Sequence, residues 1–380
     1  MMKSMKKKLL EMKEVYKFIT LEGSHYDVGV QLGEKLRDNM KHYPNIITDS
    51  FKPERTGFKS LQEALDLCET YCPGMIEEVE GLADGFNVTS KKIAFAKYLV
   101  PTRSHSNNCS QLVVLPSITE DNAIYVGRSY DYHPDDEDKI LLRTKIKKKY
   151  AHFGFSLQAL GRAEGLNSEG LVVSMTGGGA FDAPTTNKKA FNYCIAIRAL
   201  LENCRSVDKA VDMLVEMPVY SSTIYLISDN SGNAALVEGI DSKFALHFVN
   251  KDSKNQFIIS TNHYNHPKLI SYNKYVNPWI MSNSETRYKT IESLLLSSSP
   301  NITKDTIIRI LSQEIPDGVC ARFFSEWFGT LWSVFFDVKQ KSIDVCFGPP
   351  THNPYHQFNL KDPMEDMDFT AALVNKFSSD

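Results

Sequence analysis

Residues 107–132 read NNCSQLVVLPSITEDNAIYVGRSYDY, two apolar runs separated by a polar turn at 119–122. Runs of this length that are rich in Val, Ile and Tyr, joined by a turn with Asp and Asn, predict a β-hairpin. In an antiparallel hairpin the end of the second strand returns to the start of the first. We therefore expect Arg128 and Asp131, at the end of the second run, to lie beside Cys109, at the start of the first.

Cys109 differs from an ordinary buried cysteine because a polar segment precedes it. A structural cysteine is expected inside an apolar run, but this one directly follows Asn107 and Asn108. A neighbouring arginine lowers the pKa of a thiol, and a neighbouring carboxylate can orient a proton carrier. The hairpin thus makes Cys109 a candidate nucleophile supported by Arg128 and Asp131. A surface ion pair between those two residues is the alternative interpretation.

The composition excludes several classes of protein. With 380 residues, of which 42% are hydrophobic and 23% charged, the chain can bury a large core without disulfides. Its net charge of −3 argues against nucleic acid as the default partner. No apolar run approaches the roughly 18 residues of a membrane span, and the basic start lacks the apolar region of a secretory signal. Seven cysteines in such a chain predict free thiols and a cytoplasmic location.

The order of predicted elements indicates sheets covered by helices. Residues 1–100 read as helical, with Ser60 capping one helix and another beginning after Thr89. Beyond them, runs of strands alternate with runs of helices, which is typical of layered α+β architectures. Strands are predicted at 110–117, 123–132, 140–147, 151–160, 171–175, 222–228, 234–239, 244–249, 256–262, 330–338 and 342–348, and helices at 191–204, 207–217, 284–296 and 303–313. Residues 166–170 read as a turn, and no linker separates two units.

Three other motifs carry little chemical signal. Cys68 and Cys72 lie one helical turn apart, and His263 is close to His266, but neither pair has the further ligands that a metal site needs. The run Gly177–Gly179 follows a strand but lacks the Lys and Ser/Thr of a phosphate-binding loop. It is better interpreted as backbone that approaches another group closely. No metal and no cofactor are expected.

Taken together, six segments resemble the acyl-coenzyme A:6-aminopenicillanic-acid acyltransferase family. This family is related to the choloylglycine and penicillin V hydrolases, within the N-terminal-nucleophile hydrolases. The segments are EGSHYDVGVQLGEKL (22–36), NNCSQLVVL with GRSYDY (107–115 and 127–132), EGLNSEGLVVSMTGGG (164–179), IISTNHY (258–264), SETRYKTIESLL (284–295) and GTLWSVFFDVKQKSIDVCFGPP (329–350). Each is weak alone, but their order along most of the chain is fairly specific.

The resemblance implies a role for each matching residue. Cys109 matches the nucleophile, and Arg128 and Asp131 match its supporting pair. Asn262 matches the asparagine of the oxyanion hole, and Arg287 matches a distal active-site arginine. The second oxyanion position of the bile-salt relatives falls near Thr176–Gly178, where no asparagine stands and a backbone N–H is expected to serve instead. Gly177, Gly178 and Arg287 are accordingly expected to bind substrate. The family precursor cuts itself immediately before the cysteine, here after Asn108, where the best-known acyltransferase has glycine.

The resemblance also implies the fold and the reaction. We expect a four-layer αββα sandwich of the N-terminal-nucleophile type, with a helical, processed segment at 1–108 that packs on a catalytic core at 109–380. The expected activity is that of an amidohydrolase or acyltransferase, acting through a Cys109 thioester. Its substrate would be a small-molecule amide or acyl thioester, with acyl-coenzyme A as one option. Nucleic acid and membrane partners are not expected, whereas a homo-oligomer is left open.

Two rival functions are compatible with the sequence. The first is a papain-like protease, because His263 follows Cys109 at a spacing near that family's. No CGxCW-like motif surrounds Cys109, however, and a hairpin follows it instead of a long helix. The second is a non-catalytic binding protein of the same fold. Intact mass separates the first rival from the expected enzyme, and a thiol-directed probe separates the second.

Overall fold

The chain forms two large β-sheets that face each other, according to a computed structural model. The structure describes residues 11–38, 58–89, 108–184, 189–219, 222–241, 243–326 and 328–376. The strands are β1 (Glu11–Gly23), β2 (Ser110–Val114), β3 (Tyr125–Tyr132), β4 (Ile140–Ile146), β5 (His152–Leu157), β6 (Gly161–Asn167), β7 (Val172–Gly177), β8 (Thr223–Ser228), β9 (Ala234–Ile240), β10 (Lys243–Val249), β11 (Phe257–Ser260), β12 (Arg322–Phe323), β13 (Phe328–Asp337), β14 (Ser342–Phe347), β15 (Tyr355–Asn359) and β16 (Met367–Val374). The helices are α1 (His25–Arg37), α2 (Leu61–Tyr71), α3 (Met75–Phe86), α4 (Tyr193–Asn203), α5 (Val207–Glu216), α6 (Pro278–Ser298) and α7 (Lys304–Ser312).

Both sheets are almost entirely antiparallel. The first sheet has the strand order β10-β9-β8-β7-β6-β5-β4-β1-β16, and the second has the order β11-β2-β3-β13-β14-β15, with β12 beside β13. The exception is β1, which runs parallel to β4. Polar side chains join the inner faces: Gln111 Nε2 donates to the Ile224 carbonyl at 3.0 Å, and Ser174 Oγ donates to Gln111 Oε1 at 2.7 Å.

Helices cover the outer face of each sheet. On the first sheet, α4 and α5 pack against β5 to β9. On the second sheet, Leu112 and Phe335 share an apolar cluster with Ile291 of α6 and Ile307 of α7. Burial of such faces is the main favourable contribution to folding. The predicted four-layer αββα class, in the broader α+β class, is therefore confirmed.

The N-terminal helices pack tightly on each other. A Cβ at Gly29 of α1 would stand 2.3 Å from the Glu78 carbonyl oxygen of α3, so only glycine permits this approach. Ser60 caps α2 as predicted, since its hydroxyl accepts the Glu63 N–H at 3.1 Å. The described helices of this segment thus agree with the sequence. The helix predicted after Thr89 lies outside the described residues.

The prediction that residues 1–100 are helical is wrong for residues 11–23. They form β1, which pairs with β4 and with β16 inside the first sheet. Tyr16 and Phe18 alternate with more exposed neighbours and are themselves fully buried, as expected of a strand. The described residues of the segment 1–108 therefore contribute a strand to the first sheet as well as three helices. Whether it separates from 109–380 as a processed piece stays a prediction.

A second correction concerns residues 166–170, for which the sequence predicts only a turn. Leu166 and Asn167 end the strand β6, and the turn begins at Ser168. The strand was missed because GRAEGLN is rich in small and polar residues. All seven of its residues are nevertheless buried between the layers.

All seven cysteines carry unpaired thiols, which confirms that prediction. Within the described ranges, none of the helices has the length and apolar character needed to cross a bilayer.

Candidate active site

The hairpin places Cys109, Arg128 and Asp131 together, as its register requires. Ser110 of β2 pairs with Ser129 of β3, so Cys109 lies next to the end of β3. The Cys109 thiol donates to the Asp131 carbonyl oxygen at an S···O distance of 3.9 Å. All three residues are buried, which rules out the surface ion pair considered for Arg128 and Asp131.

Opposing effects act on the pKa of the Cys109 thiol. Burial raises the pKa of the thiol, while the Arg128 guanidinium opposes this effect and the Asp131 carboxylate adds to it. The net result is a raised pKa, so the thiol is neutral near pH 7. A nucleophile in this setting needs a base that removes its proton at the moment of attack.

Asp131 is a buried carboxyl with an incomplete set of partners. Its Oδ1 accepts hydrogen bonds from Ser129 Oγ at 2.9 Å and Thr330 Oγ1 at 2.8 Å. Its Oδ2 has no hydrogen-bond partner among the described residues. Burial raises the pKa of Asp131 to about 6, although Arg287 and the two hydroxyls act in the opposite direction. Asp131 can therefore hold or release a proton near neutral pH.

Asn262 comes to the same place from the edge strand β11. Ser260 pairs with Gln111 of β2, and continuing this antiparallel register sets Asn262 opposite Cys109. The Asn262 side chain donates to the Gly177 carbonyl oxygen at 3.0 Å. Its backbone N–H donates to Ser284 Oγ at 2.6 Å. The side chain is fully buried, and the bond to Gly177 uses one of the two N–H donors of its amide.

The glycines at the end of β7 are engaged with other groups. The Gly177 carbonyl accepts the Asn262 amide, and the Gly178 N–H donates to the Ser222 carbonyl at 2.9 Å. The Gly178 N–H is therefore not free to stabilise an oxyanion in this arrangement. The predicted contribution of Gly177 and Gly178 to substrate binding stays a prediction.

Arg287 of α6 connects the site. Its Nη1 donates to the Cys109 carbonyl at 2.7 Å and to Ser110 Oγ at 2.8 Å, and its Nη2 donates to Asn262 Oδ1 at 2.7 Å. Asn283, one helical turn earlier, accepts from Arg287 Nε at 2.8 Å. Burial lowers the pKa of Arg287 to about 10, with Asp131 opposing the effect, so the guanidinium stays charged.

Asn108, the predicted cleavage position, is also held by Arg287. The Asn108 Oδ1 atom lies 3.4 Å from Arg287 Nη2, while its Nδ2 finds no hydrogen-bond partner in the described part of the chain. Both residues are fully buried. The residue that replaces the family's glycine is thus oriented by the guanidinium that also contacts the Cys109 carbonyl.

His263 does not face the thiol. Its Nδ1 lies 2.7 Å from Ser284 Oγ and 3.3 Å from Thr261 Oγ1. Burial lowers its pKa, and Glu285 opposes that effect. The papain-like arrangement therefore lacks its histidine base at Cys109. Among the described residues, no three His, Cys, Asp or Glu side chains form a potential metal site.

Two functional candidates were missed in the sequence. Ser284 links the Asn262 backbone to α6, and Glu164 of β6 stands 3.4 Å from Arg128 Nε. A Glu inside a buried strand indicates a nearby cationic partner, because buried carboxylates need to be paired. Glu164 was hidden by the missed strand β6.

Comparison with known proteins identifies the family. A protein from Archaeoglobus fulgidus is 22% identical over 337 residues, covering 74% of this chain, which spans about half (55%) of that relative's length. Penicillin V acylase from Agrobacterium tumefaciens is 17% identical with a TM-score of 0.43, covering 63% of this chain and 83% of its own. A conjugated bile acid hydrolase mutant from Clostridium perfringens is 13% identical with a TM-score of 0.46, covering 71% and 99%.

The model of one family, described as acyl-coenzyme A:6-aminopenicillanic acid acyl-transferase, matches residues 118–352. This range is more than half of the chain, and it includes Arg128, Asp131, Asn262 and Arg287 but begins after Cys109. The family predicted from the six motifs is therefore confirmed: the chain belongs to the acyl-coenzyme A:6-aminopenicillanic acid acyl-transferase family.

Proposed function

We propose that this protein is a self-processing cysteine amidohydrolase or acyltransferase whose nucleophile is Cys109. The observation that carries the proposal is the position of Arg287, which contacts the Cys109 carbonyl, the Asn108 side chain and the Asn262 amide at once. One buried guanidinium thus joins the bond to be cut, the nucleophile and the oxyanion donor. Such convergence of residues from distant motifs is typical of an active site.

Self-cleavage uses the thiol and the preceding peptide bond. The Cys109 sulfur attacks the Asn108 carbonyl carbon, the peptide C–N bond breaks, and the nitrogen takes a proton to become the Cys109 α-amine. The product is a thioester between Asn108 and the Cys109 side chain. Water then opens the thioester, which leaves an Asn108 carboxylate and a free thiol. A buried Asn108 that is already hydrogen-bonded starts this sequence in a fixed orientation.

The new amine solves the problem of the missing base. An α-amine has a pKa of roughly 7.7–8.0, so it is partly neutral near pH 7 and can accept the thiol proton. The amine and the thiol belong to the same residue, so no histidine is needed. This fits His263, whose ring faces Ser284 instead of Cys109.

Turnover then follows the chemistry of acyl transfer. The Cys109 sulfur attacks the carbonyl of an amide or thioester, and the tetrahedral oxyanion is stabilised by the Asn262 side chain. Collapse expels the amine or thiol and leaves a thioester on Cys109. Water as the acceptor gives hydrolysis, and an amine gives acyl transfer. The substrate class is a small linear amide or acyl thioester, by similarity to the family and to the acylase and hydrolase described above.

Trapping the acyl-enzyme tests this function. The protein is incubated with a panel of small amides and acyl thioesters, quenched in acid and mapped by peptide mass spectrometry. We expect an acyl adduct on the peptide that contains Cys109, lost in Cys109→Ala and retained in Cys194→Ala, a variant of another buried thiol. Adding an amine should divert the acyl group from acid to amide if transfer is favoured. Absence of any adduct, together with a Cys109 that resists thiol probes, would support the non-catalytic binding protein instead.

A further inference from the structure

Glu164 is a buried carboxyl that reaches from the first sheet to the second. It lies on β6 with 1% of its surface exposed. Its Oε1 accepts a hydrogen bond from Trp332 Nε1 of β13 at 2.8 Å, and its Oε2 lies 3.4 Å from Arg128 Nε of β3. A carboxylate in such a place is costly unless a cation compensates it, so Glu164 and Arg128 depend on each other.

Arg128 is held from several sides. Its Nη1 donates to the Ser129 carbonyl at 2.6 Å and lies 3.4 Å from the Ser110 carbonyl. Its guanidinium carbon lies 5.2 Å from the centre of the Tyr130 ring, which provides a cation–π contact. These contacts involve neutral groups. Burial raises the pKa of Glu164 to about 7, with Arg128 opposing this effect, so above neutral pH Glu164 places a full negative charge against the Nε edge of the guanidinium.

The donor that fixes Glu164 is itself immobilised by stacking. The Trp332 ring stacks on Tyr130 with centroids 4.1 Å apart and an angle of 6° between planes. On its other side it stacks on Phe155 of β5, with 4.2 Å between centroids and 10° between planes. The indole N–H therefore has little freedom, and the carboxyl that accepts from it is fixed in turn.

We propose that Glu164 is a positioning residue for the nucleophile: it anchors the Arg128 guanidinium so that its charge acts on the Cys109 thiol. The inference rests on the proposed function, because it assigns to Glu164 a task in the chemistry of Cys109. Arg128 is the group that works against the effect of burial on the thiol. A guanidinium released from Glu164 can turn toward other acceptors, and the thiolate then loses its stabilisation.

Several other ionisable groups face Cys109 or Arg128 and also affect the pKa of the thiol. The thiol is faced by Asp131 and by Arg287, which hydrogen-bonds the Cys109 backbone. Tyr130, under the guanidinium, donates its hydroxyl to Glu137 at 2.7 Å. Glu164→Gln leaves those groups in place and retains an acceptor for Trp332, so it removes only the charge beside Arg128.

The test is the pH profile of Cys109 alkylation in a double-mutant cycle. Iodoacetamide labelling of Cys109 is followed by peptide mass spectrometry in wild type, Glu164→Gln, Arg128→Met and the double variant. Loss of the Glu164 charge would by itself lower the thiol pKa, so a rise reports displacement of Arg128. We expect Glu164→Gln to raise the apparent thiol pKa by roughly one unit, and a fall would overturn the proposal. If Glu164 acts through Arg128, the double variant should show no further rise beyond Arg128→Met alone. The matched control is Glu238→Gln, which removes a buried carboxyl that binds the backbone N–H groups of 265 and 266.

The outcomes separate positioning from a structural role. A Glu164→Gln profile equal to wild type, with only a lower melting temperature, would overturn the proposal, as would additive effects in the cycle. Should Glu164→Gln alone fail to fold, Glu164→Asp and the double variant Glu164→Gln/Arg128→Met take its place. Glu164→Asp retains the negative charge and must keep the wild-type midpoint of the thiol titration. The readout needs neither cleavage nor substrate. A wild type without self-cleavage or turnover would therefore overturn the proposed function while the alkylation shift still tests Glu164.

Discussion

The molecule has two buried centres that each combine arginine with carboxyl side chains, and their carboxyls behave in opposite ways. The first, which we call the nucleophile centre, consists of Cys109, Arg128, Asp131, Asn262 and Arg287 between the sheets. The second, which we call the helix network, consists of His25, Glu78, Arg198 and Glu202 and joins the N-terminal helices to α4. In the helix network, Arg198 donates to both carboxylates of the set and to the Leu160 carbonyl at 2.8 Å.

Their carboxyl groups titrate in opposite directions. Burial alone would raise the pKa of Glu78, but the charge of Arg198 and hydrogen bonds from His25 and Arg198 outweigh it and lower the pKa to about 2. Burial prevails at Asp131, whose pKa rises to about 6. Glu78 contacts His25 and Arg198, whereas the Asp131 carboxyl accepts hydrogen bonds, among the described residues, only from the Ser129 and Thr330 hydroxyls. Charged partners thus separate a structural ion pair from a carboxyl that titrates near neutral pH. A buried carboxyl whose raised pKa is not offset by charged partners is typical of a functional site.

Asn262→Ala should give the largest effect within the nucleophile centre. We expect turnover to fall by about two to three orders of magnitude while the fold survives, because an oxyanion donor is lost. The measurement is the steady-state rate at matched concentrations of folded protein. Asn265→Ala, an exposed position on the same loop, is the control and should retain activity. Near-normal turnover in Asn262→Ala would remove Asn262 from the site.

Arg128→Ala and Asp131→Asn should each slow both self-cleavage and acyl transfer, because both reactions use the Cys109 thiol. Arg128→Ala removes the charge that favours the thiolate, and Asp131→Asn removes the carboxyl expected to orient a proton carrier. An opposite charge shifts a neighbouring pKa by roughly 1–3 units, so loss of Arg128 should cost about one to three orders of magnitude in thiolate-dependent rate. Gel densitometry of the precursor and single-turnover acylation would measure the two steps separately. Normal chemistry combined with a lower melting temperature would instead reveal a structural pair.

Arg198→Met should break the helix network without altering the chemistry. Removing one partner of a buried ion pair leaves uncompensated charge, here Glu78 and Glu202, and costs about 3–5 kcal/mol of unfolding free energy. Urea unfolding measures the loss, and the rate per folded molecule should stay at the wild-type value. Lys209→Met, at an exposed pair with Asp212, should have little effect. A loss of turnover as large as that of Arg128→Ala would abolish the contrast between the centres.

The smallest effects should appear in the pH dependence of stability. Asp131 has a folded-state pKa above its unfolded value, so its stabilising contribution is present below about pH 4 and is lost as the pH rises through about 6. Glu78 has a depressed pKa, so its contribution is present above about pH 4.3 and is lost as the pH falls through about 2. Unfolding free energies of Asp131→Asn and Glu78→Gln against pH should lack these respective slopes. Slopes identical to wild type would contradict the assignment.

The sequence predicted those parts of the molecule in which local pattern and tertiary position agree. The hairpin of β2 and β3 has long apolar runs and a polar turn, so its register alone placed Arg128 and Asp131 beside Cys109. Asn262 and Arg287 came from the family resemblance, because no local pattern indicates that a strand end and a helix meet. Their contact spans 25 positions of the chain and depends on how α6 packs.

Other parts could not be predicted for physical reasons. The strand β1 lies inside the stretch that was predicted to be helical. Its alternating Tyr16 and Phe18 are buried by strands from distant parts of the chain, which local sequence does not reveal. The role of Glu164 could not be predicted because β6 is rich in small residues, and such a sequence resembles a turn. Its burial between the two sheets is a tertiary feature. The partners of Gly178 and His263 likewise depend on tertiary contacts with Ser222 and Ser284.

The central claim, that Cys109 acts as a released N-terminal nucleophile, is tested most directly by intact mass of wild type beside Cys109→Ala. The 43.0-kDa chain should yield pieces of about 12 and 31 kDa, in proportion to 108 and 272 of its 380 residues. N-terminal sequencing of the larger piece should begin CSQLVV, and Cys109→Ala should stay whole. A wild-type chain that remains intact yet turns over an amide at an ordinary rate would contradict the account.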